Sequence, residues 1–131
     1  MAKVTAHNGK ADYLIEIRSP SGNTVTADEP VDKGGQDKGF SPKELLASAL
    51  AACTSATLRM YAQHKGWDLK DALIDIELVE EGGNTIFNRN IEFRGDLDEE
   101  QRDRLLKVAN ACPLHKILTH AISINTTVAG I

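Results

Sequence analysis

The run LLASALAACTSATLRMYA, Leu45 to Ala62, holds almost nothing polar, and most of its side chains are small. Just before it stands Ser-Pro-Lys-Glu. Ser41 can cap a helix, Pro42 suits the first helical position, and Glu44 can return the cap as the partner of a capping box. The spacing predicts a helix from there to about Lys65, with Gly66 as its stop. From Leu45 to Leu58 this helix is apolar or small on every side, and such a helix is buried on every side. At 1.5 Å per residue it would be roughly 36 Å long. A chain of 131 residues cannot easily wrap it. Two copies sharing two such helices could, with Ala47, Ser48, Ala49, Ala51, Ala52 and Ala56 permitting close approach of the backbones.

The rest of the chain reads as an α+β pattern in one domain, residues 1–131. Tyr13, Ile15 and Ile17 alternate with Leu14, Glu16 and Arg18 between turn signals, so the first 28 residues are predicted as a β-meander. Asp28 to Phe40 is a glycine-rich loop, either a plain surface connection or a flap over a site. DALIDIELVEE and TIFNRNIEFRG flank Gly-Gly-Asn as a hairpin. In its second strand Thr85, Phe87, Arg89, Ile91 and Phe93 share one face, which places a cation among apolar neighbours. A helix follows with Asp98 as N-cap and Gln101 closing its capping box. Then come a short helix, Pro113 to His120, and a last strand, Ala121 to Val128.

Composition removes several function classes. The net charge is −4 with Lys and Arg scattered among acids, so a nucleic-acid footprint is missing. The 5% aromatic content leaves little for base stacking. The first ten residues carry no apolar signal core, and no run approaches the ~20 apolar residues of a membrane span. A cytoplasmic chain with no membrane partner is expected. In a reducing compartment its two cysteines point to redox, catalytic or metal chemistry before structural bridging. Neither Cys-x-x-Cys nor a zinc spacing occurs, although His115 and His120 lie near Cys112, so no metal is expected.

The two thiols differ in setting. Cys53 sits in mid-helix and, taken alone, reads as a small buried hydrophobe. Cys112 precedes Pro113. It either ends the core stripe of Leu105, Val108 and Ala109, or caps the short helix with amide N–H groups aimed at its sulfur, which would favour the thiolate. His115 lies one turn on.

DEPVDKGGQDKGFSPKELLASALAACTSATLRMYAQHKGW and the later GDLDEEQRDRLLKVANACPLHKILTHAISINTTV resemble the OsmC/Ohr family, in particular its OsmC-like branch, over about residues 28 to 128. The resemblance implies an OsmC-like fold: an intertwined homodimer whose sheets wrap two long central helices. It implies a thiol peroxidase for organic hydroperoxides, with Cys53 as peroxidatic and Cys112 as resolving thiol. The cycle it implies runs through a sulfenic acid and a disulfide, with no bound cofactor and an external dithiol, lipoamide-linked in Ohr-type members, as reductant. A non-enzymatic redox-sensing or apolar-ligand-binding dimer on the same scaffold is the alternative. Family members activate the attacking thiol with an arginine and a glutamate. The candidates here are Glu44, next to the position Lys43 that aligns with that glutamate, and Arg18, Arg59 or Arg89. Glu44 lies roughly 13 Å from Cys53 along its own helix, so only the Glu44 of a second copy could come closer.

Overall fold

The computed structural model describes residues 1–129. They form two compact units, residues 1–48 with 76–88 and residues 49–75 with 89–129.

In the first unit β1 (Thr5–Asn8), β2 (Ile15–Arg18) and β3 (Thr24–Ala27) form the expected antiparallel meander. Ile17 stands opposite Ala6 on one side and Val25 on the other. The loop that follows is pinned rather than free. Asp28, buried, accepts hydrogen bonds from the backbone N–H groups of Glu29 (2.8 Å), Gln36 (3.2 Å) and Lys38 (3.1 Å). Gly35 passes so close to Glu29 that a Cβ there would lie 1.9 Å from its carbonyl oxygen, which only glycine allows. The loop ends as Phe40 N–H donates to Thr26 O (3.1 Å) and Asp28 N–H to Phe40 O (3.0 Å).

The long helix α1 spans Pro42–Lys65. Its capping box is formed: Glu44 N–H donates to Ser41 Oγ (3.1 Å) and Ser41 N–H to Glu44 Oε1 (2.9 Å). It stops as predicted at Gly66, with φ 70°. Gly66 N–H returns to Gln63 O and Trp67 N–H to Ala62 O, the paired bonds of a Schellman ending. By length and composition alone the 24-residue helix would be long and apolar enough to cross a membrane, a test that the core helix of a soluble protein also passes. A single copy does not wrap the helix. Within one chain only the stripe Leu50, Thr54, Leu58 and Ala62 is buried, while Leu46, Ala49, Ala52, Ala56 and Met60 stay exposed.

Strands β4 (Asp68–Glu81) and β5 (Asn84–Asp96) pair as the predicted hairpin. Gly82 and Gly83 hold φ 58° and 81°, the two positive values that a tight hairpin turn needs. In the second unit α2 (Glu99–Ala109) starts on the complete Asp98–Gln101 capping box. The core of this unit joins Leu58, Ala62, Leu69, Leu97, Leu105 and Ala109, with Tyr61, Trp67, Ile91 and Phe93 packed on it. Burying a leucine such as Leu58 contributes about 1.5–3 kcal/mol.

Helix α3 covers Pro113–Leu118, two residues shorter than expected, because Thr119 leaves helical geometry and caps it. The last strand is not formed. Ala121 to Val128 is exposed and unassigned, and no strand among the described residues pairs with it. Alternation marks which residues would share a face, but a strand also needs a ladder partner.

Candidate functional site

The site is assembled within the second unit around Cys112. Cys112 closes the buried stripe of α2 and caps α3, so both readings of its position hold together: its surface exposure is zero, and its Sγ accepts the His115 N–H at 3.3 Å. Thr54 Oγ1, on the buried stripe of α1, lies 3.9 Å from the same sulfur. Thr54 follows Cys53 directly in α1, which brings Cys53 to the neighbourhood of Cys112, and the Cys53 thiol is among the groups that lower the Cys112 pKa. Both cysteines are free thiols, Cys53 half-buried and Cys112 buried.

Strand β5 supplies the cation. Its period of two turns Arg89 inward with Ile91 and Phe93, while Asn88, Asn90 and Glu92 stay exposed. Arg89 Nη1 donates to Thr54 Oγ1 (2.9 Å), and Nη2 donates to Asn110 Oδ1 (2.9 Å). Nη2 also stands 3.1 Å from His115 Nδ1. An arginine cannot accept, so Nδ1 is the acceptor here and a neutral His115 carries its proton on Nε2. These partners are all neutral. The ion pairs among the described residues involve Arg18, Lys43 and Arg94, and Arg89 takes part in none.

The electrostatics follow from these contacts. Burial is the largest influence on the Cys112 thiol and pushes its pKa up. The His115 amide, the Thr54 hydroxyl, the Cys53 thiol and the Arg89 charge outweigh it and hold the pKa below the ordinary thiol value. Burial, and then the Arg89 charge, hold His115 below its ordinary value, which keeps it neutral. A thiolate among hydrogen-bond donors and beside a cation is a nucleophile held ready.

The other candidates from sequence go elsewhere. Glu44 spends its carboxylate on the capping box. Arg18 lies exposed on β2, paired with Glu16 at 3.0 Å. Arg59 donates to the backbone carbonyls of Leu69 and Lys70 and so ties α1 to β4. Arg89 is the one arginine of the three drawn into the thiol cluster, where it bonds two residues that touch the Cys112 sulfur. Sequence reasoning missed Thr54 and Asn110. Thr54 carries a signal in retrospect, as the only polar residue on the buried stripe of α1.

Comparison with known proteins gives a consistent picture. The family model described as OsmC-like protein matches residues 35–127. A solved structure of a putative osmotic stress induced and detoxification response protein from Psychrobacter arcticus is 26% identical, with a TM-score of 0.75 over 88% of this chain and 85% of that one. The organic hydroperoxide resistance protein OhrB of Bacillus subtilis is 26% identical, with a TM-score of 0.62 over 91% and 90%. An OsmC like protein from Mycoplasma pneumoniae shares the fold at 23% identity, with a TM-score of 0.77 over 90% and 86%. No curated protein matches the chain.

Proposed function

The chain belongs to the family of OsmC-like proteins, and from that premise we propose that it is a thiol-dependent peroxidase that reduces organic hydroperoxides in oxidative-stress defence. The observation that carries this reading is the cluster around the buried Cys112 sulfur: the His115 amide and the Thr54 hydroxyl touch it, Arg89 bonds both of those residues, and Cys53 is the residue next to Thr54. The hydroperoxide resistance role named for the Bacillus subtilis relative supports the substrate class.

Cys53 retains accessible surface and Cys112 has none, so the peroxide meets Cys53 first. The Cys53 thiolate attacks one peroxide oxygen and the O–O bond breaks. The alkoxide leaves and takes a proton as the alcohol, and Cys53 becomes a sulfenic acid. The Cys112 thiolate then attacks the Cys53 sulfur. The S–O bond breaks, hydroxide leaves and is protonated to water, and a disulfide remains. An external dithiol, lipoamide-linked by the family resemblance, restores both thiols by two exchanges. The chemistry needs no bound cofactor.

The exposed apolar stripe of α1, Leu46 to Met60, supports a homodimer in which two such helices cover each other. Light scattering should then give about twice the chain mass of 14.2 kDa, and a stable monomer at micromolar concentration would contradict it. Cytoplasmic action fits a cycle that needs a dithiol reductant. Stopped-flow oxidation by cumene hydroperoxide and by hydrogen peroxide, with a dithiol present, tests the function. Faster turnover with the organic peroxide is expected, and no oxidation by either overturns the proposal.

A second reading is a redox-sensing or apolar-ligand-binding dimer with weak turnover. One observation favours it: of the four candidates to activate Cys53, Glu44, Arg18 and Arg59 spend their side chains on other partners, and Arg89 bonds Thr54, Asn110 and His115. Steady-state turnover slower than the first oxidation by orders of magnitude would select it.

A further inference from the structure

Arg89 has no use in the packing of its unit that an apolar side chain could not serve better. A half-buried guanidinium costs desolvation, and that cost is recovered only with a charge partner or full hydrogen bonding. Its acceptors are a hydroxyl, an amide oxygen and an imidazole nitrogen, and no carboxylate among the described residues pairs with it. Two of those acceptors belong to residues that also touch the Cys112 sulfur, Thr54 through its hydroxyl and His115 through its amide. The titratable or charged groups that bear on Cys112 are Cys53 from α1, Arg89 from β5 and His115 from α3. Arg89 is the one permanent cation among them.

We propose, resting on the peroxidase reading above, that Arg89 is the positioning residue of the second thiol: braced by Thr54, Asn110 and His115, its guanidinium is the counter-charge of the Cys112 thiolate and speeds disulfide closure rather than the attack on peroxide.

Thr54 gives this arrangement two states. Its hydroxyl has one proton. That proton goes to Leu50 O at 2.7 Å, and the Cys112 S–H can then donate to Oγ1. When Cys112 ionises, the hydroxyl can turn its proton to the sulfur, and in either state Oγ1 accepts from Arg89. The closing step balances as written above: the Cys112 sulfur supplies the electron pair of the new S–S bond, and hydroxide leaves the Cys53 sulfur. Closure consumes the anion, so Arg89 loses its counter-charge in the disulfide. That leaves the oxidised site electrostatically disfavoured and easier to reduce.

The test separates the two thiols. In the full chain carrying Cys53→Ser, the thiolate absorbance of Cys112 near 240 nm is titrated with and without Arg89→Gln. We expect Arg89→Gln to move the inflection to higher pH and Arg89→Lys to restore it in part. An unmoved inflection overturns the proposal, and this readout stands even if the protein reduces no peroxide. In the chain with both cysteines, Arg89→Gln should slow disulfide formation from the Cys53 sulfenic acid about tenfold at neutral pH. Sulfenic acid formation in the Cys112→Ser background should be unchanged by it. A slowed first step with normal closure assigns Arg89 to Cys53 and overturns the proposal. Asn110→Ala, at an exposed helix end, releases one brace without removing the charge. It should move the inflection the same way by less, and it keeps the test decisive if Arg89→Gln does not fold.

Discussion

Asp28 and Cys112 are two buried acids held in opposite ways. Asp28 is surrounded by the backbone. Burial raises its pKa, but the N–H groups of Lys38, Gln36 and Glu29, with the Lys38 charge, outweigh that and bring the pKa below the ordinary carboxylate value. Its donors belong to its own loop and have no other task, so the carboxylate serves as a fixed staple for residues 29 to 38. Cys112 has one backbone donor, and the remaining support comes from side chains on α1 and β5. Side chains can turn, and Arg89 among them has no permanent anion. An anion kept for structure is satisfied by amides that stay put; an anion kept for chemistry is satisfied by groups that can release it.

The largest test of this contrast substitutes the two acids in turn. Cys112→Ser should leave one reaction per chain with peroxide and no turnover, a loss of at least about a hundredfold, since the sulfenic acid has no second thiol to close on. Asp28→Asn should leave peroxide turnover within about twofold while lowering the thermal midpoint and opening residues 29 to 38 to proteases. Equal losses of turnover in both would erase the distinction.

Thr54→Val probes the middle of the scale. It removes a fully buried hydroxyl that accepts from Arg89 and leaves that N–H without its partner. A stability loss of about 1–3 kcal/mol in chemical denaturation is expected, together with slower disulfide closure. Lost stability with normal closure would reduce Thr54 to a packing residue.

The pH response has a definite sign at each site. The folded pKa of Asp28 is depressed, so its stabilisation is present above the ordinary carboxylate range and lost as pH falls through the folded value. The folded pKa of Cys112 is likewise depressed. Its share of stability is complete only above the ordinary thiol value and declines as pH falls through the folded one, and disulfide closure should slow over the same interval. His115 is held neutral, so protonation below its ordinary value of 6.5 favours unfolding and takes Nδ1 from Arg89. Closure that rises only in the ordinary thiol range would show that the Cys112 cluster does nothing to its sulfur.

The smallest effect is expected at Glu44. Gln can also serve at that position of a capping box, so Glu44→Gln should change peroxide kinetics by less than about twofold. A large loss would mean that the carboxylate charge acts on a thiol, and not on the helix start alone.

The fold was legible where local chemistry decides it. Ser41, Pro42, Glu44 and Gly66 set the ends of α1, and Gly82 and Gly83 set the hairpin, because each rule involves only a few neighbouring residues. The last strand was misread because its partner is no local matter. That α1 is apolar on every side was visible in its composition, but which face one chain covers, the stripe Leu50, Thr54, Leu58 and Ala62, depends on packing from distant elements. At the site both cysteines and the oddity of Arg89 were visible in the sequence. Their partners were not: the Arg89–Thr54 contact joins residues 35 positions apart, and only the packed β5 and α1 bring them together. Asn110 looked like an ordinary helix end, and its role depends on Arg89 arriving from another element.

Dimedone trapping after one equivalent of cumene hydroperoxide, read by peptide mass spectrometry in each single cysteine variant, tests the division of labour most directly. The account predicts label on Cys53 in Cys112→Ser, little on Cys112 in Cys53→Ser, and an intramolecular Cys53–Cys112 disulfide in the unaltered chain. Label on Cys112 in Cys53→Ser, with none on Cys53 in Cys112→Ser, would contradict it and make the buried thiolate the one that attacks the peroxide.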